Sequence, residues 1–200
     1  MKIWKLFTVI GAMAALFLMA SPATAADSLK IMGSTTVYPV AEAAVTTYKV
    51  GHPDARIDLS AGGSSVGVRA IIDGMADIGN SSRDITDKEL DMAKKKGSAV
   101  QKHVVAYDCI VPIVHPSNPV ANLTIQQLQD IYTGKVSNWK EVGGADEKIV
   151  VVSREDTSGT YETWQHFVLG KNFLAPKALK QQSNPGVRAY VAKTPKAIGY

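Results

Sequence analysis

Three short stretches of this chain carry the same chemistry: Gly33-Ser34-Thr35-Thr36, Gly63-Ser64-Ser65 and Thr157-Ser158-Gly159-Thr160. Each follows an apolar segment with strand character and precedes residues spaced as a helix, so each sets hydroxyls beside the free amides of a helix start. Those amides carry the positive end of the helix dipole, and glycine lets a ligand approach the main chain closely. One such loop alone is accounted for by Ser or Thr capping its own helix. Three of them with a cation nearby point to a cage for an oxyanion. The cation is Arg154, in Ser153-Arg154-Glu155-Asp156-Thr157, whose planar fork can hold two oxygens of a tetrahedral anion. Asp156 can only accept a proton-bearing partner, because two negative charges face to face repel. It therefore favours phosphate, which keeps a hydrogen near neutral pH, over sulfate, molybdate or tungstate, which do not.

Other chemistries fit less of the chain. Gly63-Ser64-Ser65-Val66-Gly67 matches G-x-S-x-G, with Ser65 as a hydrolase nucleophile and Asp156 and His166 following in triad order. The chain is short for an α/β-hydrolase, His166 falls within a Tyr161, Trp164, Phe167, Val168 stripe expected to pack on a sheet, and the other two hydroxyl loops are left without a use. A binding protein rather than an enzyme is expected. His52, His103, His115 and His166 lack ligand spacing and Cys109 is the single cysteine, so no metal, no cofactor and no intrachain disulfide are expected. The formal charge of +4 falls to +2 once Lys2 and Lys5 are set aside, which suggests no nucleic-acid partner.

Those two lysines belong to a leader: a basic start, an apolar run from Leu6 to Ala20, and Ala23-x-Ala25 before Ala26. This reads as a signal peptide over 1–25, with no cysteine at the cleavage point for a lipid anchor, and places the remainder in the periplasm. With 46% apolar and 20% charged residues, that remainder reads as a globular domain of alternating strands and helices. Strands are expected at Leu29–Met32, Arg56–Ser60, Ala76–Asn80, Val104–Val114, Ile149–Val152 and from Ala197. Helices are expected along Val37, Val40, Ala41, Ala44, Val45 and Tyr48, from Val68 to Met75, after the capping boxes Thr86-x-x-Glu89 and Thr124-x-x-Gln127, from Ser158 to Leu169, and after Asn184-Pro185. The order implies an α/β fold with a largely parallel sheet.

Four segments together resemble the periplasmic phosphate-binding proteins of the phosphate-specific ABC importers: Gly33-Ser34-Thr35-Thr36, Gly63-Ser64-Ser65-Val66-Gly67-Val68, Ala76-Asp77-Ile78-Gly79-Asn80-Ser81-Ser82-Arg83 and Arg154-Glu155-Asp156-Thr157-Ser158-Gly159-Thr160. The resemblance implies a two-lobed, type II periplasmic-binding-protein fold, with lobe 1 over 26–106 and lobe 2 over 107–197. It implies a monomer that closes on inorganic phosphate and docks on a membrane permease, with Ser34, Thr35, Thr36, Ser64, Ser65, Ser82, Arg154, Asp156, Ser158, Gly159 and Thr160 at the site. Two departures stand out. Ser82 occupies a position where some members place an aspartate, leaving Asp156 more of the proton reading. The chain also stops at Ala197-Ile198-Gly199-Tyr200, where members usually continue, so residues 198–200 are expected to start a return crossover and lobe 1 to be truncated, with an unfinished sheet and an exposed apolar face.

Overall fold

The computed structural model describes residues 28–200, so the signal-peptide assignment lies outside the described residues. Two sheets organise the fold. The first is wholly parallel, with strands β1 (Leu29–Gly33), β2 (Ile57–Ala61) and β3 (Ile78–Asn80) in the order β2-β1-β3. Helix α1 (Tyr38–Gly51) joins β1 to β2, α2 (Ser64–Ile72) joins β2 to β3, and α3 (Asp87–Lys95) follows. The second sheet runs β4-β7-β5-β6, from β4 (Ile113–Val114), β5 (Val150–Arg154), β6 (Leu179–Gln181) and β7 (Ala197–Gly199). Around it pack α4 (Ile125–Thr133), a 3-10 turn at Trp139–Val142, α5 (Gly159–Trp164), which continues into a π turn at Gln165–Leu169, and α6 (Asn184–Lys193).

Register decides where the loops go. Gly33 ends β1 opposite Ala61 of β2 and Asn80 of β3, so the loops carrying Ser34, Ser64 and Ser82 all leave one edge of the first sheet. In the second sheet Arg154 ends β5 opposite Gln181 of β6. The carboxyl ends of parallel strands are where such folds gather ligand groups.

The capping boxes expected from sequence form: the Thr86 hydroxyl accepts from the Glu89 amide while the Glu89 carboxylate takes the Thr86 amide, and Thr124 with Gln127 does the same. The largest core lies beside the second sheet, where Tyr132, Trp139, Trp164, Leu169, Ile198 and Tyr200 pack together. Trp164 stacks on Tyr200 with centroids 4.2 Å apart, as a packing residue should. Phe167 does not join it. The π turn adds a residue to the helical repeat, which rotates Phe167 outward and brings Val168 and Leu169 in.

Two further differences from the sequence reading have physical causes, in the Val104–Val114 stretch and at β6. Of the Val104–Val114 stretch only Ile113–Val114 is strand, paired antiparallel with β7; Tyr107 is 96% exposed, because an extended segment needs a neighbouring ladder to hold it. Residues 198–200 sit within the second sheet: β7 is an interior strand between β4 and β5, and Tyr200 is buried. Helix α1 forms where its apolar spacing indicates; none of its residues is buried, and Val40 and Tyr48 are half exposed. Strand β6 escaped the sequence reading because Leu179-Lys180-Gln181 has no strand pattern of its own and is held by pairing with β5.

Candidate functional site

The loop after β1 folds back on itself. The Ser34 hydroxyl accepts from the amides of Thr36 and Val37 at 3.1 and 3.4 Å, and the Ser34 amide donates to the Asn80 carbonyl at 2.9 Å. Buried Ser34 thus spends its hydroxyl on the turn, which holds Thr35 and Thr36 towards the second sheet. At the start of α2, Gly63 takes a φ of 101°, open to glycine and strained for other residues. The Ser65 amide there donates to the Thr157 carbonyl at 3.1 Å, so the second and third hydroxyl loops touch through their main chains. The Ser64 hydroxyl sits 3.1 Å from that of Ser82 and also takes the Ser82 amide at 3.0 Å.

From the other side, Ser158 caps α5 by accepting from the Tyr161 amide at 3.3 Å, and Gly159 follows immediately. A Cβ on Gly159 would stand 2.8 Å from Ser64 Cβ and 2.9 Å from Ser82 Oγ, so the absent side chain is what lets these loops close on each other. Thr160 completes the junction, its hydroxyl 3.1 Å from that of Thr36.

Arg154 lies beneath this seam and is 1% exposed. Its Nε donates to the Gln181 carbonyl at 3.2 Å, Nη2 to Thr35 Oγ1 at 2.9 Å and to the Gln182 carbonyl at 3.0 Å, and Nη1 to Asn184 Oδ1. Every one of these acceptors is neutral. Burial draws the guanidinium below its ordinary pKa, with the Tyr200 phenol and Glu155 pulling the other way, yet an arginine keeps its proton in any such setting. The arginine backbone is fixed as well: its amide donates to the Tyr200 phenol at 3.5 Å, and that phenol is within 2.7 Å of Ser153 Oγ. Burial pushes the Tyr200 pKa up to about 12, against hydrogen bonds from Ser153 and the Arg154 amide, so it remains a neutral anchor.

Two predicted residues lie elsewhere. Asp156 does not face the hydroxyl loops: its side chain is 69% exposed and pairs with Lys180 Nζ at 2.7 Å. Lys180 comes from β6, whose parallel pairing with β5 brings the ammonium within reach, a contact the sequence spacing could not show. Ser65 turns aside from Ser64, donating to Glu162 Oε1 at 2.7 Å and accepting from Arg83 Nη2 at 3.0 Å. The triad order read from sequence is likewise not assembled in space: Ser65 has Glu162 and Arg83, Asp156 has Lys180, and the His166 ring meets Phe167 edge-on.

One residue at the seam escaped the sequence reading. Asn184 Oδ1 accepts from Thr35 Oγ1 at 2.8 Å and from Arg154, while its Nδ2 donates to Thr36 Oγ1 at 3.2 Å. The sequence reading has this helix open at Asn184-Pro185, but its N-cap is Ser183, accepting from the Gly186 amide at 3.1 Å, which leaves the Asn184 amide group free for the seam. The adjacent serine was the available signal.

Two sheets whose strand ends face one another across hydroxyl loops and a buried arginine define a substrate-binding protein fold, the α/β, type II periplasmic-binding-protein class. The chain belongs to the PBP superfamily, whose domain model matches residues 19–200. It is 38% identical to the phosphate-binding protein PstS of Bacillus subtilis over 176 residues, 88% of this chain and 57% of the relative. With PstS of Borreliella burgdorferi it shares 32% over 179 residues, 86% of this chain and 62% of that one. The chain thus spans about six tenths of the length of these curated relatives. Among solved structures it is similar to a candidate phosphate ABC transporter substrate-binding protein from Clostridium perfringens, determined with bound phosphate. That match has 40% identity and a TM-score of 0.79, covering 87% of this chain and 70% of that one. An ABC-type phosphate transport receptor from Vibrio cholerae matches at 33% identity and a TM-score of 0.62, covering 86% and 70%.

Proposed function

We propose that this chain captures inorganic phosphate in the periplasm and hands it to the membrane permease of an ABC importer. The observation that carries the reading is Arg154: a buried guanidinium whose partners are all neutral. Burying a charge is costly unless an opposite charge meets it, so this position is built to receive an anion. The hydroxyls of Thr35, Thr36, Ser64, Ser82 and Thr160 and the helix-start amides near them would replace its water shell, and Asn184 would hold the arginine fork in plane. The relatives named for phosphate and the structure containing it support the choice of anion.

We read the first sheet with α1 to α3 as lobe 1, over 26–106, and the second sheet with its helices as lobe 2, from 107 to the end of β7. Ligand groups come from both, so a bound anion favours the closed arrangement. This is a binding role for a single chain and requires no covalent step. A second tetrahedral oxyanion remains the competing reading, because Asp156 pairs with Lys180 and so does not stand at the cluster to read a proton. Calorimetric titration with phosphate and then sulfate across pH 5 to 8 separates the two. Phosphate binding lost at least a hundredfold in Arg154→Ala is expected, from removal of a buried charged hydrogen-bond donor; an unchanged dissociation constant removes the arginine from the site, and tighter binding of sulfate replaces the proposed ligand.

A further inference from the structure

Next to the hydroxyl cluster runs a second, separate set of contacts between the lobes. Glu162 projects from α5, two residues past Thr160, and uses its carboxylate oxygens on two different elements of lobe 1. Oε1 accepts from the Ser65 hydroxyl at 2.7 Å, and Oε2 lies 2.7 Å from Arg83 Nε as an ion-pair contact rather than an aligned hydrogen bond. Arg83 is itself held firmly, with both terminal nitrogens on the Glu89 carboxylate at 2.8 and 2.9 Å and Nη2 on Ser65 Oγ at 3.0 Å. The arginine side chain is only 9% exposed, Glu89 14% and Glu162 32%.

The placement of these groups gives them a task. Ser65 is the sequence neighbour of Ser64, and Arg83 of Ser82, so the anchors on lobe 1 are rigidly tied to two hydroxyls of the cluster. Glu162 is tied equally closely to Thr160. A carboxylate bridging these anchors fixes the distance across the seam without itself facing the cluster. We propose that Glu162, held by Arg83 and Ser65, is a positioning residue that clamps the two lobes in the closed register and so sets how long a bound anion stays. The proposal rests on the two-lobed, anion-binding reading above. It requires the seam to open for release, and it makes the Glu162 contacts something that opening must break. Breaking a partly buried charge pair acts mainly on dissociation, and with Glu162 one third exposed the expected effect is about tenfold.

The test has two arms on the same proteins. In a Cys109→Ser background, spin labels at Lys94→Cys and Lys171→Cys, both exposed and on different lobes, report the lobe-to-lobe distance without any ligand. Glu162→Ala should lengthen and broaden that distribution, and Ser65→Ala should do so less; circular dichroism checks that both variants are folded. In the second arm, stopped-flow measurement with inorganic phosphate should show dissociation about tenfold faster in Glu162→Ala, with association nearly unchanged. An unchanged label distance in both variants overturns the clamp, and so does a lengthened distance with an unchanged dissociation rate. If the parent protein binds no phosphate, the anion reading fails, while the label distances still decide the clamp.

Discussion

Gly159→Ala tests whether the two halves of the cluster must touch. The φ of Gly159 lies outside the left-handed region, and the position opens α5, so an alanine backbone is tolerated and favoured there. The obstacle is the neighbour across the seam. The new methyl would stand 2.8 Å from Ser64 Cβ, where carbon atoms normally keep about 3.5 Å or more. Ser64 is fully buried, and its hydroxyl is committed to the Ser82 amide, so rotating it away exposes an unpaired donor. Relief requires α5 to retreat by roughly 1 Å, on the scale of ordinary carbon contact distances. That retreat stretches the Thr36–Thr160 hydroxyl contact and the Ser65 amide to Thr157 carbonyl bond, both 3.1 Å, beyond hydrogen-bond range. Two lost bonds at about 1 kcal/mol each, with overpacking strain of about 1 kcal/mol, give about 2 to 3 kcal/mol against closure. Phosphate affinity measured by calorimetry should fall about 30- to 150-fold, while thermal unfolding of the unliganded protein moves little, since the core beside the second sheet is untouched. An affinity within twofold of the parent would refute the claim that the halves close on each other through this glycine.

Asn184→Ala removes one acceptor from both Arg154 and Thr35, and should weaken phosphate binding by about 1 to 3 kcal/mol in the same titration. Asp156→Asn should change affinity and the phosphate-to-sulfate preference by less than about threefold, as expected for an exposed ion pair; a large loss of preference would show that the carboxylate reaches the anion. Glu89 supplies a pH signature. Burial raises its carboxyl, but Arg83 and the Thr86 amide and hydroxyl outweigh that and hold it at about 2, against an ordinary 4.5. A carboxyl depressed on folding stabilises above its unfolded value and loses that contribution as pH falls from about 4.5 towards about 2. The ceiling is about 3 kcal/mol, or roughly 2 after solvent screening, read as a falling urea midpoint between pH 5 and pH 3 that Glu89→Gln should flatten.

Much of the local structure was written in residue spacing. The capping boxes at Thr86 and Thr124, the Gly-Ser-Thr loops at strand ends and the placement of α1, α2, α4 and α6 follow from hydrogen-bonding rules that span a few residues, and these the chain states directly. Spacing also singled out Arg154 and the hydroxyl loops, because charge and hydroxyl chemistry at helix starts is a local pattern. What it could not carry was direction and partnership. Asp156 and Arg154 stand two apart in sequence, yet one faces solvent and Lys180 while the other is buried under the seam. Ser64 and Ser65 are adjacent, yet one joins Ser82 and the other Glu162. Asn184 meets Thr35 across 149 positions and Arg154 across 30, and the neighbouring serine that frees it from the cap names neither partner. Strand register and the packing of α5 against α2 settle those choices, since which side chains meet across two sheets depends on the placement of whole elements, a property no short stretch of sequence contains.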